Sequence, residues 1–465
     1  MEHPTPADEC HQEDAKPLLF FTAMPGEGHT YPLITIASSM IKRGYSVYFH
    51  AGAQFEADIL SMGADFSVVP SMLDPVPDPE AAMAAGRAIT DLRVPLFVHG
   101  LTNFLYNTLP VRTQLLEDTL VKVKERNPSR QIIIIHELCS MNVLPFAFGR
   151  PVPRGFSSFP KTIGIGAVNI SYPSFDTAPF SMGLPFDTSE ACRLRNKELH
   201  KLADQGPWRP LFDAAERALR AAGCTTTPEG HPFRSWYTAP DVCFQMCSAS
   251  MEYPLSDMPS NLRFAGCLPP KVSGADFEAP GWWGDVLDSA GREDRHVVFV
   301  SQGTAEVDYG QLIVPTMEAF RGRDDMLIIV TLGIRGATLG EGVDVPDNVR
   351  CADFLAYDRI LPHADVFVCN AGYGSTSHAV TNGVPAVLAG EVLDKKEVTM
   401  RAVYAGYAWD LKSVAPGAEQ IRAGVEAVLN DKKYKERAME LKAENEEMDC
   451  MQTIERQIIE FTITQ

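Results

Sequence analysis

Apolar runs alternate with helical sequence from the first part of the chain onward. The apolar run LLFFTA at 18–23 is followed by the glycine-containing loop MPGEGHT, a helical stretch at 33–42 and a second apolar run, SVYFHA. Strand, loop, helix and strand in this order make a βαβ unit, and such units build parallel sheets. A further apolar run, QIIIIHE at 131–137, predicts another buried strand of that sheet.

A second alternation of strands and helices occupies the later part of the chain. Apolar runs recur at 297–300, 327–330, 366–369 and 386–389, with helical sequence between them. Residues 431–465 carry the charge pattern of one or two further helices. Two such series in one chain predict an α/β protein with two domains, each built around a parallel sheet with helices wound on both of its faces.

Shifts in composition predict the domain boundaries. Residues 1–16 are polar and acidic, and we expect them to form a disordered tail. The first domain is predicted over 17–268, a proline- and glycine-rich linker over 269–290 and the second domain over 291–440. The final helices, at 441–465, are expected to pack back on the first domain.

The composition restricts the classes of partner. The chain has 465 residues, of which 45% are hydrophobic, and a formal net charge of −19. This charge repels phosphate backbones and anionic lipids, so we expect a small-molecule partner and no nucleic acid. The apolar runs fall far short of the ~20 residues that a membrane span needs. The ten cysteines are scattered in the manner of reduced thiols, which favours a cytoplasmic location.

The loop MPGEGHT carries a histidine at the carboxyl end of a strand, where α/β sheets bind ligands. His29 lies at or just before a helix predicted to begin near Thr30, and the positive end of that helix disfavours an imidazolium. His29 would then be a neutral base for a hydroxyl proton. Glu137 is the candidate carboxylate that receives its other ring proton. A helix-capping histidine and an ordinary strand-end charge are the alternatives.

A second candidate ligand loop, NAGYGSTSHA, follows the strand at 366–369. Its glycines allow close approach of the backbone, while its hydroxyls and the amides of the helix start offer donors to a phosphate. The loop SQGTAE, after the strand at 297–300, adds similar small polar groups. The candidate donor-binding residues on the two loops are Ser301, Gly303, Thr304, Gly372, Gly374, Ser375 and Thr376. A tight turn without a ligand is the alternative for either loop alone.

Together these motifs resemble a known enzyme family. The segments MPGEGHTYPL, VSQGT, FLAYDRILPHADVFVCNAGYGS, NGVPAVLAG and LDKKEVTMRAVYAGYA are similar to those of UDP-sugar-dependent glycosyltransferases from plants, fungi and macrolide-modifying bacteria. The resemblance covers 18–411. It implies the GT-B fold, in which two Rossmann-like domains face each other across a cleft. The first domain would bind mainly the acceptor and the second mainly the UDP-sugar.

The resemblance also implies roles for individual residues. His29 matches the catalytic base of the family, and Glu137, or alternatively His136, falls where the family has a partnering aspartate. Phe354 falls at the position of a tryptophan that stacks on uracil, and Tyr357 at that of a glutamine. Both aromatic residues would suit a platform for the base.

The donor side departs from the common pattern of the family. Asn370 replaces the histidine that usually begins the phosphate motif, Gly374 replaces its asparagine, and Ser375 matches its serine. His378 stands where many members have a ribose-binding glutamate, and a histidine is a weaker partner for a ribose hydroxyl than a carboxylate.

A further departure lies at the start of the next helix. Asp394 and Lys395 stand where many members have an Asp-Gln pair that contacts sugar hydroxyls. With Glu397 and Arg401 they resemble the pattern DKxEVxxR of a microbial branch of the family.

The implied reaction is a single displacement with inversion. A sugar, expected to be glucose, would pass from a UDP-sugar to a hydroxyl of a lipophilic or phenolic small molecule. Several aromatic residues could line that acceptor pocket, or could belong to the core, namely Phe97, Phe104, Tyr106, Phe146 and Phe180. A monomer or weak homodimer is expected.

Neither a cofactor nor a metal is expected. Tyr31 occupies the place of the third glycine in a dinucleotide fingerprint, and the second strand does not end in an acidic residue. The sequence contains no Asp-x-Asp triplet, so it lacks the carboxylate metal clamp of the other glycosyltransferase fold. The UDP-sugar would be a co-substrate.

Two other functions would suit the same residues. A sugar-nucleotide epimerase on the same fold would convert a UDP-sugar without an acceptor. A non-catalytic nucleotide-sugar-binding accessory protein would be consistent with Asn370 and His378, which replace common donor contacts. Chromatography of the donor incubated alone separates the epimerase from the transferase.

Overall fold

Two parallel β-sheets form the framework of the molecule. The computed structural model describes residues 16–69, 93–270, 277–304, 306–391 and 394–463. The strands of the first sheet are β1 (Leu18–Thr22), β2 (Val47–Gly52), β3 (Asp65–Val69), β4 (Ile132–Glu137), β5 (Lys161–Gly166), β6 (Val242–Gln245) and β7 (Leu262–Phe264). Those of the second are β8 (His296–Ser301), β9 (Met326–Thr331), β10 (Val349–Ala352), β11 (Val366–Cys369), β12 (Ala386–Leu388) and β13 (Ala408–Asp410).

The strand orders confirm the predicted doubly wound α/β class. The first sheet runs β3-β2-β1-β4-β5-β6-β7 and the second runs β10-β9-β8-β11-β12-β13. In each sheet, successive strands are added first on one side of the initial strand and then on the other. The switch falls between β1 and β4 in the first sheet and between β8 and β11 in the second. Ligands bind to such sheets in the crevice outside the carboxyl ends of the strands at the switch.

Helices cover both faces of each sheet. Those of the first half are α1 (Glu27–Lys42), α2 (Glu56–Ser61), α3 (Arg93–Leu101), α4 (Leu109–Arg126), α5 (Leu144–Ala147), α6 (Glu190–Gln205), α7 (Arg209–Ala221) and α8 (Phe233–Thr238). Those of the second half are α9 (Trp283–Ser289), α10 (Ile313–Ala319), α11 (Tyr357–Ile360), α12 (Tyr373–Thr381), α13 (Asp394–Ala405), α14 (Ala418–Asn430), α15 (Lys433–Met448) and α16 (Cys450–Ile463). Each of these helices is too short or too polar to cross a lipid bilayer.

The strands read as continuous apolar runs because both faces of the sheets are buried. On β1, the neighbouring side chains of Phe20 and Phe21 point to opposite faces of the sheet, yet both are fully buried. Phe21 packs in one core cluster and Phe20 in another, on the α4 side. A strand buried on both faces cannot show polar alternation, which is why apolar runs predicted these strands.

The structure shifts two of the predicted boundaries. The linker predicted over 269–290 contains α9, whose Val286 is buried in the core of the second domain. At the other boundary, Leu441 of α15 is buried in the second domain, whereas Ile454 of α16 is buried in the first. The chain crosses between domains at Asp449, which adopts a left-handed conformation with φ 42°. Residues 1–15 of the predicted tail and 271–276 of the linker lie outside the described residues.

Candidate functional site

The loop after β1 places His29 inside the first turn of α1. Gly26 caps the helix in an extended conformation, and α1 begins at Glu27 rather than near Thr30 as predicted. The earlier start is favourable because the carboxylate of Glu27 lies in the first turn, where the helix dipole stabilises negative charge. The hydroxyl of Thr30 donates to the carbonyl of Met24 at 2.7 Å, which closes the loop beneath His29.

The neighbouring strand β4 brings Glu137 to His29. Nδ1 of His29 lies 3.2 Å from Oε1 of Glu137, close enough for an ion pair although the two are not aligned as a hydrogen bond. Oε1 also accepts a hydrogen bond from the backbone N–H of Cys139 at 3.0 Å. His136 is the register partner of Thr22 on β1 and is buried. Adjacent residues of a strand point to opposite faces, so only Glu137 reaches His29.

The carboxylate of Glu137 shifts the pKa of His29 in the direction opposite to the one expected from the helix dipole. Burial lowers the pKa of His29, but the charge of Glu137, its contact with the ring and the more distant Asp394 together raise that pKa above its usual 6.5. The side chain of Glu137 is fully buried, so its charge acts through a medium of low dielectric constant. The sequence analysis expected the helix dipole to keep His29 neutral and Glu137 to partner its ring; in the structure the effects of Glu137 and Asp394 together outweigh burial, and the pKa rises.

One group of side chains here could hold a metal ion. Within the described part of the chain, ligand atoms of His29, Glu137 and Cys139 all lie within 4.8 Å of one another. Nitrogen, oxygen and sulfur ligands suit zinc rather than magnesium. Burial, with the neighbouring Glu137, raises the pKa of the Cys139 thiol, which disfavours the thiolate that a metal would bind. Metal independence stays a prediction.

The loop after β11 opens a helix in a similar way. Gly372 caps α12, whose first helical hydrogen bond runs from Thr376 N to the carbonyl of Gly372 at 3.0 Å. The amides of the first three helical residues precede that bond and are directed out of the helix start. They lie at the carboxyl end of the strands, where the sequence predicts a phosphate site.

The predicted glycines of this loop are not required by its backbone conformation. Its left-handed residue is Ala371, with φ 58°, whereas Gly372 and Gly374 have ordinary conformations. A Cβ on Gly374 would meet no atom within 4 Å, so packing within the protein does not require a glycine there. Because Gly374 has no side chain, the space beside the amides of the first helical turn stays open. The hydroxyl of Thr376 donates to the carbonyl of Tyr373 at 2.9 Å and is thus used within the helix.

Three predicted donor residues, Ser301, Tyr357 and Asn370, make contacts within the second domain that stabilise the loops. Asn370 donates through Nδ2 to the carbonyl of Gln302, which ties the two loops together. Ser301 is fully buried, and its hydroxyl lies 2.6 Å from that of Tyr357 and accepts from Gly303 N at 3.1 Å. The side chain of Ser301 is therefore not available to a ligand.

The prediction that Tyr357 stacks on a base stays a prediction, although its ring already has partners within the second domain. Its ring packs edge-on against the rings of Phe299 and Phe367, with centroids 5.4 Å apart in each pair. The backbone at the start of α11 turns this side chain inward, whereas Phe354, three residues earlier, is 40% exposed. Arg335 covers one side of the Phe354 ring at 4.5 Å from its centroid. Of the two rings, that of Phe354 is exposed enough for a base to stack on it.

The remaining predicted donor residues lie at the rim of the same region. Gly303 has a left-handed φ of 77°, and a Cβ on Gly333 would collide with its carbonyl, so two loops approach closely there. Thr304 is exposed. His378 is 39% exposed, and its Nδ1 lies 2.7 Å from Oδ1 of Asp358. Asp358 was not predicted, because nothing in the sequence links it to a residue twenty positions away.

The start of α13 joins the two halves of the site. Asp394 lies near enough to His29 for each to influence the protonation of the other, and burial raises the pKa of Asp394. A second contact crosses the cleft where Gln245 Nε2 donates to the hydroxyl of Tyr373 at 2.9 Å. The histidine on the first sheet thus faces the helix starts of the second, with Lys395 following Asp394 at the same helix start.

Two doubly wound domains that face each other in this way define the GT-B class of glycosyltransferases. Among solved structures, the glycotransferase of kitacinnamycin has the same fold, with a TM-score of 0.66 and 18% identity, over 95% of this chain and 99% of that one.

Sequence comparison gives the family. Residues 317–461 match the family described as erythromycin biosynthesis protein CIII-like, C-terminal domain. UDP-glucosyltransferase 1 of Beauveria bassiana is 36% identical over 94% of each chain. UDP-glycosyltransferase 2 of Phaeomoniella chlamydospora is 34% identical over 96% of each chain. The chain belongs to the UDP-glycosyltransferase family, as the sequence motifs predicted.

Proposed function

We propose that this UDP-glycosyltransferase moves glucose from UDP-glucose to a hydroxyl of a lipophilic or phenolic small molecule, with His29 as general base. The observation that carries the proposal is the 3.2 Å contact between His29 and the buried carboxylate of Glu137 at the cleft. Because Glu137 interacts with Nδ1, the other ring nitrogen, Nε2, is left for the acceptor hydroxyl. The carboxylate stabilises the imidazolium that forms when the proton arrives.

The proposed reaction is a single in-line displacement. As the acceptor oxygen bonds to the anomeric carbon, its proton passes to Nε2 of His29, and the bond from that carbon to the diphosphate oxygen breaks. The bonding electrons leave with UDP, and the configuration at the carbon inverts. Amides at the start of α12, from Tyr373 to Ser375, are suited to stabilise the charge on the departing diphosphate. Asp394 and Lys395 are suited to bind sugar hydroxyls.

The first domain supports a lipophilic acceptor. Phe97 and Phe180 stack with centroids 5.7 Å apart and are only partly buried, in the same core cluster as Met24 of the His29 loop. Phe104 packs against this cluster, and Tyr106 is buried within it. Phe146 instead belongs to the cluster on the α4 side of the sheet, away from His29. Phe97, Phe104 and Phe180, which are only partly buried, therefore offer an apolar surface to an acceptor in the domain that carries the base.

The donor sugar is proposed from the relatives. The Beauveria bassiana relative is a UDP-glucosyltransferase by name, and it matches this chain over nearly its whole length. Metal independence and the oligomeric state, a monomer or weak homodimer, stay predictions.

An acceptor screen tests the proposal. The protein is incubated with several UDP-sugars and a panel of phenols, sterols and polyketides, and products are detected by mass spectrometry. We expect hexosylated products with UDP-glucose, with the anomeric configuration opposite to that of the donor by NMR. An altered donor in the absence of acceptor would indicate an epimerase. Tight UDP binding without transfer or hydrolysis would indicate an accessory protein.

A further inference from the structure

A buried ion cluster joins the two domains beside the cavity that Phe180, Glu397 and Arg401 line. Arg401 on α13 is almost completely buried, and its Nε donates to Oε2 of Glu252 at 2.6 Å. Its Nη1 donates to Oε2 of Glu397 at 2.9 Å and its Nη2 to the carbonyl of Ile170 at 2.8 Å. Glu252 and Ile170 belong to the first domain, so one guanidinium bridges both domains.

The carboxylates of the cluster are also shared between the domains. Glu397, on α13, accepts through Oε1 from the backbone N–H of Gly183 in the first domain at 3.0 Å. Glu252 accepts through Oε1 from Ile170 N at 3.0 Å. Gly183 has a left-handed φ of 56°, and a Cβ there would collide with the side chain of Lys396. The approach of this loop to α13 therefore requires a glycine.

The position of the cluster along α13 suggests what it controls. The helix begins at Asp394, whose carboxylate interacts electrostatically with His29, and Glu397 and Arg401 follow one and two turns later. Seven residues of helix span ~10 Å, and a helix of this length behaves as a rigid rod. Fixing Glu397 and Arg401 to the first domain therefore also fixes the distance from Asp394 to His29.

We propose that Glu252, Glu397 and Arg401 form an interdomain clamp whose task is to hold Asp394 and Lys395 opposite His29. These three are positioning residues, because their side chains hold one another and the backbone of the first domain rather than His29. The inference rests on the proposed role of His29. It gives a function to Glu397 and Arg401, which the sequence singled out only as part of the segment DKKEVTMR.

Charge removal at the centre of the clamp is the first test. Arg401→Met keeps an unbranched apolar stem and removes the guanidinium with its hydrogen bonds. We expect kcat/KM for the UDP-sugar to fall by roughly 10²-fold, as misplacement by about 1 Å can cause. The Kd of UDP itself should change by no more than about twofold, since the proposed contacts to UDP lie within the second domain. Arg401→Lys, which retains the charge but not the fork, should recover part of the loss.

A matched arginine in one domain controls for lost stability. Arg150 donates through Nε to Oε2 of Glu117 at 2.9 Å, and both residues belong to the first domain. Arg150→Met should lower the unfolding temperature without changing kcat/KM per folded molecule by more than about twofold. If kcat/KM per folded molecule falls no further in Arg401→Met than in Arg150→Met, the clamp hypothesis is wrong.

Hydrogen exchange gives a readout that does not depend on turnover. Amides of α13 should exchange faster in Arg401→Met than in wild type and should be unchanged in Arg150→Met. Unchanged exchange in α13 would contradict the clamp even if activity fell. Should Arg401→Met not fold, Glu397→Gln, which keeps the shape of the side chain, is measured in the same way. An inactive wild type with faster exchange in the variant would reject the proposed function but not the clamp.

Discussion

The two helices that face each other across the cleft begin with the same pattern. The acceptor-side helix α1 opens with Gly-Glu-Gly-His-Thr at 26–30, and the donor-side helix α12 opens with Gly-Tyr-Gly-Ser-Thr at 372–376. In both, the first glycine caps the helix in an extended conformation, and a Cβ on the second would meet no atom within 4 Å. The two segments differ at their second residue, Glu27 or Tyr373, and at the residue after the second glycine, His29 or Ser375.

The side chains packed next to His29 and Ser375 determine what each helix start can do chemically. Behind His29 stands the fully buried carboxylate of Glu137, which raises the pKa of the imidazole and can stabilise its protonated form. Behind Ser375 the hydroxyls of Ser301 and Tyr357 form a neutral pair. A helix start alone offers amides to an anion. A buried carboxylate on the neighbouring strand converts one of the two into a site suited to proton transfer.

Removing the imidazole of His29 should reduce activity more than any of the changes that follow. We expect His29→Ala to lower kcat by up to about 10⁴-fold, the upper range for loss of a general base. The Kd of UDP, measured by calorimetry, should not change, because the proposed UDP contacts lie in the second domain. Transfer within about tenfold of wild type would contradict the base assignment.

Removing only the charge behind His29 should have the next largest effect. Glu137→Gln keeps the shape of the side chain, and we expect kcat to fall on the order of 10²-fold because the imidazolium loses its stabilising partner. The pH profile of kcat/KM is the sharper measurement. In wild type the neutral form of His29 is lost as the pH falls through a pKa above 6.5.

The direction of the pH shift follows from the causes of that pKa. Without the charge of Glu137, burial, which lowers the pKa, becomes dominant, so the acidic limb of the profile should move to lower pH. Glu137→Asp retains the charge on a shorter side chain and serves as the control, and its acidic limb should move less. An acidic limb that does not move in Glu137→Gln would mean that another group titrates there.

Filling the space at the second glycine of each helix should separate the two sides of the cleft. Gly374→Val should raise the Kd of UDP by roughly tenfold, equivalent to ~1.4 kcal/mol, because its methyl groups would occupy the space beside the first-turn amides. Gly28→Val should instead raise the KM of the acceptor and leave UDP binding unchanged. Both variants should fold, since neither Cβ meets a neighbour within 4 Å. Equal effects of both variants on UDP binding would refute the division of roles.

The sequence predicted the two sheets because their strands are buried on both faces and so read as apolar runs. It did not determine which of two adjacent residues faces the cleft, His136 or Glu137, since a shift of one position in a strand reverses the face. It also did not determine the packing of Tyr357, because an aromatic residue beside a ligand loop has the same local pattern whether its ring points inward or outward. Contacts between distant segments, such as that of His378 with Asp358, leave no local signal.

The smallest expected effect concerns the ribose side of the donor site. Asp358 contacts Nδ1 of His378 at 2.7 Å, and with the Nδ1 proton directed at that carboxylate, Nε2 is left to accept a hydrogen bond from a ribose hydroxyl. A neutral hydrogen bond contributes about 0.5–1.5 kcal/mol, so His378→Ala should raise the KM of the UDP-sugar roughly twofold to tenfold. Deoxy analogues of UDP provide the specific test.

Wild type should bind UDP more tightly than its 2′-deoxy or 3′-deoxy analogue, and His378→Ala should lose that preference for the hydroxyl that the histidine contacts. Asp358→Asn removes the charge behind His378 but leaves the ring in place, so it should weaken the preference without abolishing it. If His378→Ala discriminates between the analogues as wild type does, the histidine does not bind the ribose. The donor side would then hold its nucleotide through helix amides and Phe354. The pairing of a histidine with a carboxylate would serve ligand chemistry only at His29, and not at His378.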